Sequence, residues 1–198
     1  MADVSIRESI YGFIKGKTET LVNGSPHSKA MLAKLRRGVG KQAESYPDVW
    51  SVLFEGLDEW GLSRGGVLSA AEEAIYTTLT LYAIHQQGKT EQMSRGSDSF
   101  GAAIRKLLAP DGSNAQSIKR RFDSIVTAKD YIELSYHARG MIQMLKAKDI
   151  PLDYGRFATD LYGFHFPDTK NEIMLRWGED YYKKIKADKN EKEEQASE

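Results

Sequence analysis

Two arginine pairs, Arg36-Arg37 and Arg120-Arg121, are the residues of this 198-residue chain best suited to chemistry with an anion. A guanidinium stays charged and presents a planar fork of N–H donors that fits two phosphate oxygens at once. Residues 27–41 hold Lys29, Lys34, Arg36, Arg37 and Lys41 without one acid. Residues 95–121 hold Arg95, Arg105, Lys106, Lys119, Arg120 and Arg121 against Asp98 and Asp111. Such groups would grip a nucleic-acid backbone, fixing position without reading sequence. The competing interpretation is a solvated helix face. Because 28 basic and 28 acidic residues cancel overall, this local segregation puts the two interpretations on an equal footing. Between the basic stretches, residues 44–73 carry seven acids against Arg64, a surface suited to a basic partner.

No constellation for catalysis emerges. His27, His85, His137 and His165 are scattered, and none has a metal-ligand spacing to another His, Asp or Glu. Glu72 and Glu73 fall at a helix start, where carboxylates favour the dipole. Residues 61–67 (GLSRGGV) are glycine-rich, but they lack the phosphate-loop order and follow no strand. Nothing resembles a nucleophile elbow, and without cysteine there is no thiol, disulfide or Cys-ligated metal. The expectation is no enzyme, no cofactor and no metal.

Helices must carry the arginines. Apolar spacing is helical between the prolines at 26, 47, 110, 151 and 167, and no run alternates long enough for a strand. Helices are predicted over 4–22, 28–37 (closed by Gly38), a short segment opened by Pro47, and one following the capping box Ser69–Glu72. Further helices are predicted over 99–108, 115–125, from Thr127 to about Lys146, 153–164 and 169–185. The glycines at 12 and 16 either weaken the first helix or admit a neighbour. On the second, Lys29 and Arg36 share a flank of the Met31, Leu32, Leu35 stripe, with Arg37 further into solvent. Around Ile118, the residues Lys119, Arg120 and Arg121 spread over the exposed side. Phe100, Phe122, Tyr131 and Tyr136 could stack on unpaired bases, but their spacing reads as core.

The fold class is therefore all-α, with eight or nine helices in two small packed bundles, 1–90 and 97–185, and a disordered charged tail, 186–198. The first eight residues include Asp3, Arg7 and Glu8, which leaves no signal-peptide core. The longest uncharged stretch, 74–88, is too short and too polar for a bilayer. A cytoplasmic protein without a membrane partner is expected.

Several ordered segments resemble one family: 32–38 (LAKLRRG), 81–88 (LYAIHQQG), 99–105 (SFGAAIR), 117–122 (SIKRRF), the helix over 127–139, Asp153-Tyr154 and 175–181 (LRWGEDY). The chain is similar over about residues 5–185 to the small subunit of the type I-E CRISPR complex Cascade, the CasB family. The turn at 23–28 and the region 44–49 depart from that pattern. The resemblance implies two helical bundles without nuclease activity, paired with a second copy beside other Cascade subunits and guide RNA. It implies a basic surface toward target and displaced DNA strands, which would stabilise the R-loop. By position it carries this role to Arg36, Arg37, Arg105, Lys106, Arg120, Arg121 and Arg139, beside the charge-pattern candidates Lys29, Lys41 and Lys119. The alternative is a purely structural helical scaffold that joins subunits without touching nucleic acid.

Overall fold

The computed structural model describes residues 2–58, 61–63 and 65–183, so the tail 186–198 and Arg64 lie outside the described residues. Among the described residues there are nine α-helices and no strand: α1 (Ala2–Leu21), α2 (Pro26–Gly38), α3 (Trp50–Phe54), α4 (Ala70–Gln86), α5 (Phe100–Arg105), α6 (Ala115–Val126), α7 (Tyr131–Ala147), α8 (Tyr154–Phe164) and α9 (Pro167–Tyr182). Single 3-10 turns, Ala43–Ser45 and Pro47–Val49, precede α3.

The uncharged stretch 74–88 proves to be the centre of the fold. α4 starts from the capping box: Glu72 N–H donates to Ser69 Oγ at 3.1 Å, and Ser69 N–H donates to Glu72 Oε2 at 2.7 Å. Beyond that cap nearly every side chain of α4 is buried, because α1, α2, α7 and α8 pack around it. A helix covered on all sides can carry no amphipathic stripe, and its polar groups must find partners. Tyr82 Oη donates to the Thr18 carbonyl at 3.2 Å. Gln86 pins the following loop by donating to the Lys89 and Glu91 carbonyls and accepting from Met93 N–H. No helix is long and apolar enough to cross a membrane among the described residues.

His85 is fully buried on α4, with Nδ1 3.0 Å from Tyr154 Oη. Burial pushes its pKa down to about 4, so the folded imidazole is neutral at neutral pH. Unfolded, it would titrate near 6.5, so between those values the unfolded chain holds more protons. Stability is therefore complete above pH 6.5, declines as pH falls toward 4, and loses nothing more from this group below that. A drop from pH 7 to 4.5 should cost about 2–3 kcal/mol through His85. Urea unfolding at both pH values should show that loss shrinking in His85→Gln, which cannot titrate; an equal loss in both proteins would remove His85 as its source.

Several local expectations shift once packing is seen. α2 begins at Pro26 because Ser25 caps it, accepting from Ser28 N–H. Gly38 does not close that helix by a left-handed turn; Gly40 takes that conformation. Gly38 is instead the point where Tyr76 Oη donates to its carbonyl at 2.6 Å, and a Cβ there would lie 2.9 Å from that hydroxyl, so the tyrosine would have to shift. Thr127 caps the end of α6, and Asp130 starts α7 by accepting from Glu133 N–H at 2.8 Å. Beyond Gly12 and Gly16 the space is open, so neither admits a neighbouring helix.

Candidate nucleic-acid interface

α2 and α7 both lie against α4, and α6 lies against α7. The clefts left between them collect the arginines. Between α2 and α7, the walls are Arg36 and Arg37 on one side and Arg139, Gln143 and Lys146 on the other, over a floor of Ile84 and Gln87. Between α6 and α7, Arg120, Arg121 and Ser124 face Tyr136, Arg139 and Gln143. A third hollow continues past Arg36 to Lys29 and Lys89. Successive hollows share Arg36 or Arg139, so the arginine pairs, far apart in sequence, border one groove centred on α7.

The local reasons are plain. Met141, Ile142 and Leu145 turn inward on α7, which leaves Arg139, Gln143 and Lys146 outward. Ile118, Phe122 and Ile125 anchor α6, so Arg120 and Arg121 are exposed. Leu32 and Leu35 anchor α2, leaving Arg36 half-buried on the cleft wall and Arg37 exposed. Both of those arginines occupy the last turn, where the helix dipole favours cations.

No acidic side chain lines these three hollows among the described residues. None of Arg36, Arg37, Arg120, Arg121 and Arg139 has an ion-pair partner there, whereas Lys89 pairs with Asp149 at the rim. The crowding is visible in the ionisation of the cations. Burial, then the charges of Lys89 and Arg36, lowers the Lys146 pKa. Burial, then Arg37, lowers that of Arg36. Like charges held together without a counter-charge create a site whose potential an anion relieves.

The remaining sequence candidates are placed differently. Lys41 lies over the Tyr46 ring, 4.1 Å from its centroid, in a side hollow shared with Arg139. Lys119 turns from the groove and pairs with Asp123 at 2.6 Å. Arg105 and Lys106 are not brought to the groove: Arg105 donates to the Lys183 carbonyl at 2.7 Å, and Lys106 pairs with Asp98. Lys146, Gln143 and Gln87 were missed. The outward stripe 132, 136, 139, 143, 146, with its alternating steps of four and three, is the sequence signal that could have found the first two. Tyr136, read as core, is 73% exposed; it lies two residues from Leu134, about 200° around the helix from the buried stripe.

A family model described as the CRISPR-associated protein Cse2 matches residues 31–182. The chain belongs to the Cse2 family. The fold agrees. CasB from Thermobifida fusca is 28% identical with a TM-score of 0.73, covering 89% of this chain and 97% of its own. CasB from M. ruber is 26% identical with a TM-score of 0.61, covering 92% and 98%. A chain of a structure described as a CRISPR RNA-guided surveillance complex has the same fold at 20% identity, with a TM-score of 0.69 and coverage of 96% and 99%. No curated protein matches this chain. The Cse2 match begins inside α2 and ends at the last residue of α9, so it takes in all three walls of the groove.

Proposed function

We propose that this chain is a non-catalytic subunit of an RNA-guided CRISPR surveillance complex, and that it holds nucleic-acid backbone in the α2–α7–α6 groove. The observation that carries this reading is a set of five arginines that, among the described residues, have no ion-pair partner and border hollows lined by no acidic side chain. Cse2 membership, with a same-fold chain in a surveillance complex, supplies the context. In such a complex the bound strand would be target or displaced DNA. Backbone contacts would then tip a nearly balanced strand exchange toward the open R-loop, while base pairing to the guide supplies selectivity. Two of the four histidines have structural occupations that support a non-catalytic role: His85 is buried against Tyr154, and His165 stacks on Tyr131 with centroids 4.3 Å apart.

The test compares the reconstituted complex carrying this chain with one in which Arg36, Arg37, Arg120 and Arg121 are all changed to Ala. Assembly is checked first by size-exclusion chromatography. Target DNA affinity should fall about 100-fold or more at low salt, and the log–log salt slope should shrink by about 3–4, since phosphate contacts release counterions. Unchanged affinity and slope in an assembled complex would overturn the proposal. A second reading, the subunit-joining scaffold, is favoured by Leu175 and Tyr182 on α9, whose apolar side chains are exposed. It would be supported instead if the four-arginine variant failed to assemble.

A further inference from the structure

The groove is chemically graded along α7. Its outward stripe reads Ile132, Tyr136, Arg139, Gln143, Lys146, which spans about 21 Å at 1.5 Å per residue. The C-terminal end of that stripe is cationic, and the N-terminal end is apolar and aromatic. Ile132, in the first turn of α7 beside the side hollow that also holds Glu44 and Glu73, is 79% exposed. Tyr136, in the second turn, is 73% exposed, a high value for a ring on a packed helix. Among the described residues, the Tyr136 ring has an edge contact with His137, centroids 5.4 Å apart, and no hydrogen bond to its hydroxyl. It stands one turn from Arg139 and borders the same hollow as Arg120 and Arg121.

We infer that Tyr136 is a stacking platform for an unpaired base, whose phosphates are held by Arg139, Arg120 and Arg121. This rests on the nucleic-acid reading above and narrows it to single strands. Three considerations select this occupant. Base stacking on an exposed aromatic needs a free π-face, and a duplex keeps its bases stacked on one another. An apolar protein segment seated on Tyr136 would bury the neighbouring guanidiniums without counter-charge, which is costly, whereas a nucleotide brings both a flat base for the ring and a phosphate for the arginines. The α6–α7 hollow, about 560 Å³, also has room for a nucleotide-sized group. The arginines by themselves would grip duplex and single strand alike; Tyr136 supplies the preference.

The test uses the full chain and labelled 20-nucleotide oligonucleotides of one sequence, as single-stranded DNA, single-stranded RNA and duplex DNA. Tyr136→Ala should weaken single-strand binding between about 5-fold and 100-fold, with duplex binding and the salt slope unchanged. Tyr136→Phe, which keeps the ring, should bind like the parent. A greater loss on DNA would name a DNA strand as the source of the base; a greater loss on RNA would name the guide. Equal losses on single strand and duplex, or no loss, would overturn the stacking site. A Tyr136→Ala protein that binds every oligonucleotide normally but fails to assemble with the other subunits would mark a protein contact instead. If Arg120→Ala with Arg121→Ala loses affinity while Tyr136→Ala does not, the backbone reading stands and only the stacking fails. If neither variant loses affinity, the groove reading fails with it.

Discussion

Gly101→Ala is expected to remove about 3–4 kcal/mol of folding stability and to lower the melting temperature by about 10 °C. A Cβ at Gly101 would sit 2.1 Å from the Trp177 carbonyl oxygen and 2.8 Å from its carbon. Those are backbone atoms, so no rotamer change can relieve the clash; α5 and α9 must separate. Separation would disturb the largest aromatic cluster of the core, in which Trp177 meets Phe100 edge-on at 5.1 Å and stacks on Phe157 at 6.3 Å. It would also pull on the Ser99–Asp180 hydrogen bond at the start of α5. The damage should reach the groove, because α9 holds α6 through the stack of Tyr181 on Phe122, centroids 4.2 Å apart. Arg120 and Arg121 ride on that helix. Gly12→Ala is the matched control: its site is exposed, helical and open, so it should gain up to about 1 kcal/mol. Thermal unfolding followed by circular dichroism separates the two. A Gly101→Ala protein within about 1 kcal/mol of the parent would show that the two helices are not held together by this close approach.

Gly101 also shows where sequence reasoning stops. Helix existence was legible because it is local: the 3.6-residue period, the Ser69–Glu72 cap and the prolines at 26, 47 and 167 all act within a few residues. Which glycine touches a neighbouring helix is a long-range property, so Gly12 and Gly16 drew attention while Gly38, Gly101, Gly155 and Gly163 make the contacts. The site behaves the same way. Arg36, Arg37, Arg120 and Arg121 were legible as cations on exposed faces, but their convergence depends on α2 packing on α4 and α6 on α7. Arg105 and Lys106 looked equivalent in sequence, yet α5 packs on α9 and turns them to the Lys183 carbonyl and Asp98. Arg139 entered only through the family resemblance, and it is the one cation that lines both the α2–α7 and the α6–α7 cleft among the described residues. Tyr136 was within reach of simple helix arithmetic, since the buried stripe of Leu134, Ala138 and Met141 excludes it.

Asp160→Ala should be at least as damaging, at about 3–5 kcal/mol, because it breaks a buried charge network by removing its acceptor. Asp160 is buried on α8 and accepts from Trp177 Nε1 at 2.7 Å and from the Arg176 guanidinium, both on α9. Burial pushes its pKa up, against the pull of Arg176 and of the Trp177 hydrogen bond. A group held this way contributes little net energy compared with an apolar replacement, yet its removal strands its partners. Alanine would leave the indole N–H of a fully buried tryptophan without an acceptor, beside a cavity. Asp160→Asn keeps its one acceptor oxygen for Trp177 and loses the charge and the acceptor opposite Arg176, whose side chain reaches solvent and can turn to water, so it should cost less than half as much. Urea unfolding of the two variants provides the comparison. Equal losses would assign the stability to the ion pair with Arg176, and a small loss for alanine would deny the network any structural role. The expected order, alanine far worse than asparagine, places the tie on Trp177. α8 itself packs on α1 and α4, and so the same carboxylate fixes α9, and through Tyr181 the arginine-bearing α6, to the helix on which the rest of the groove is built.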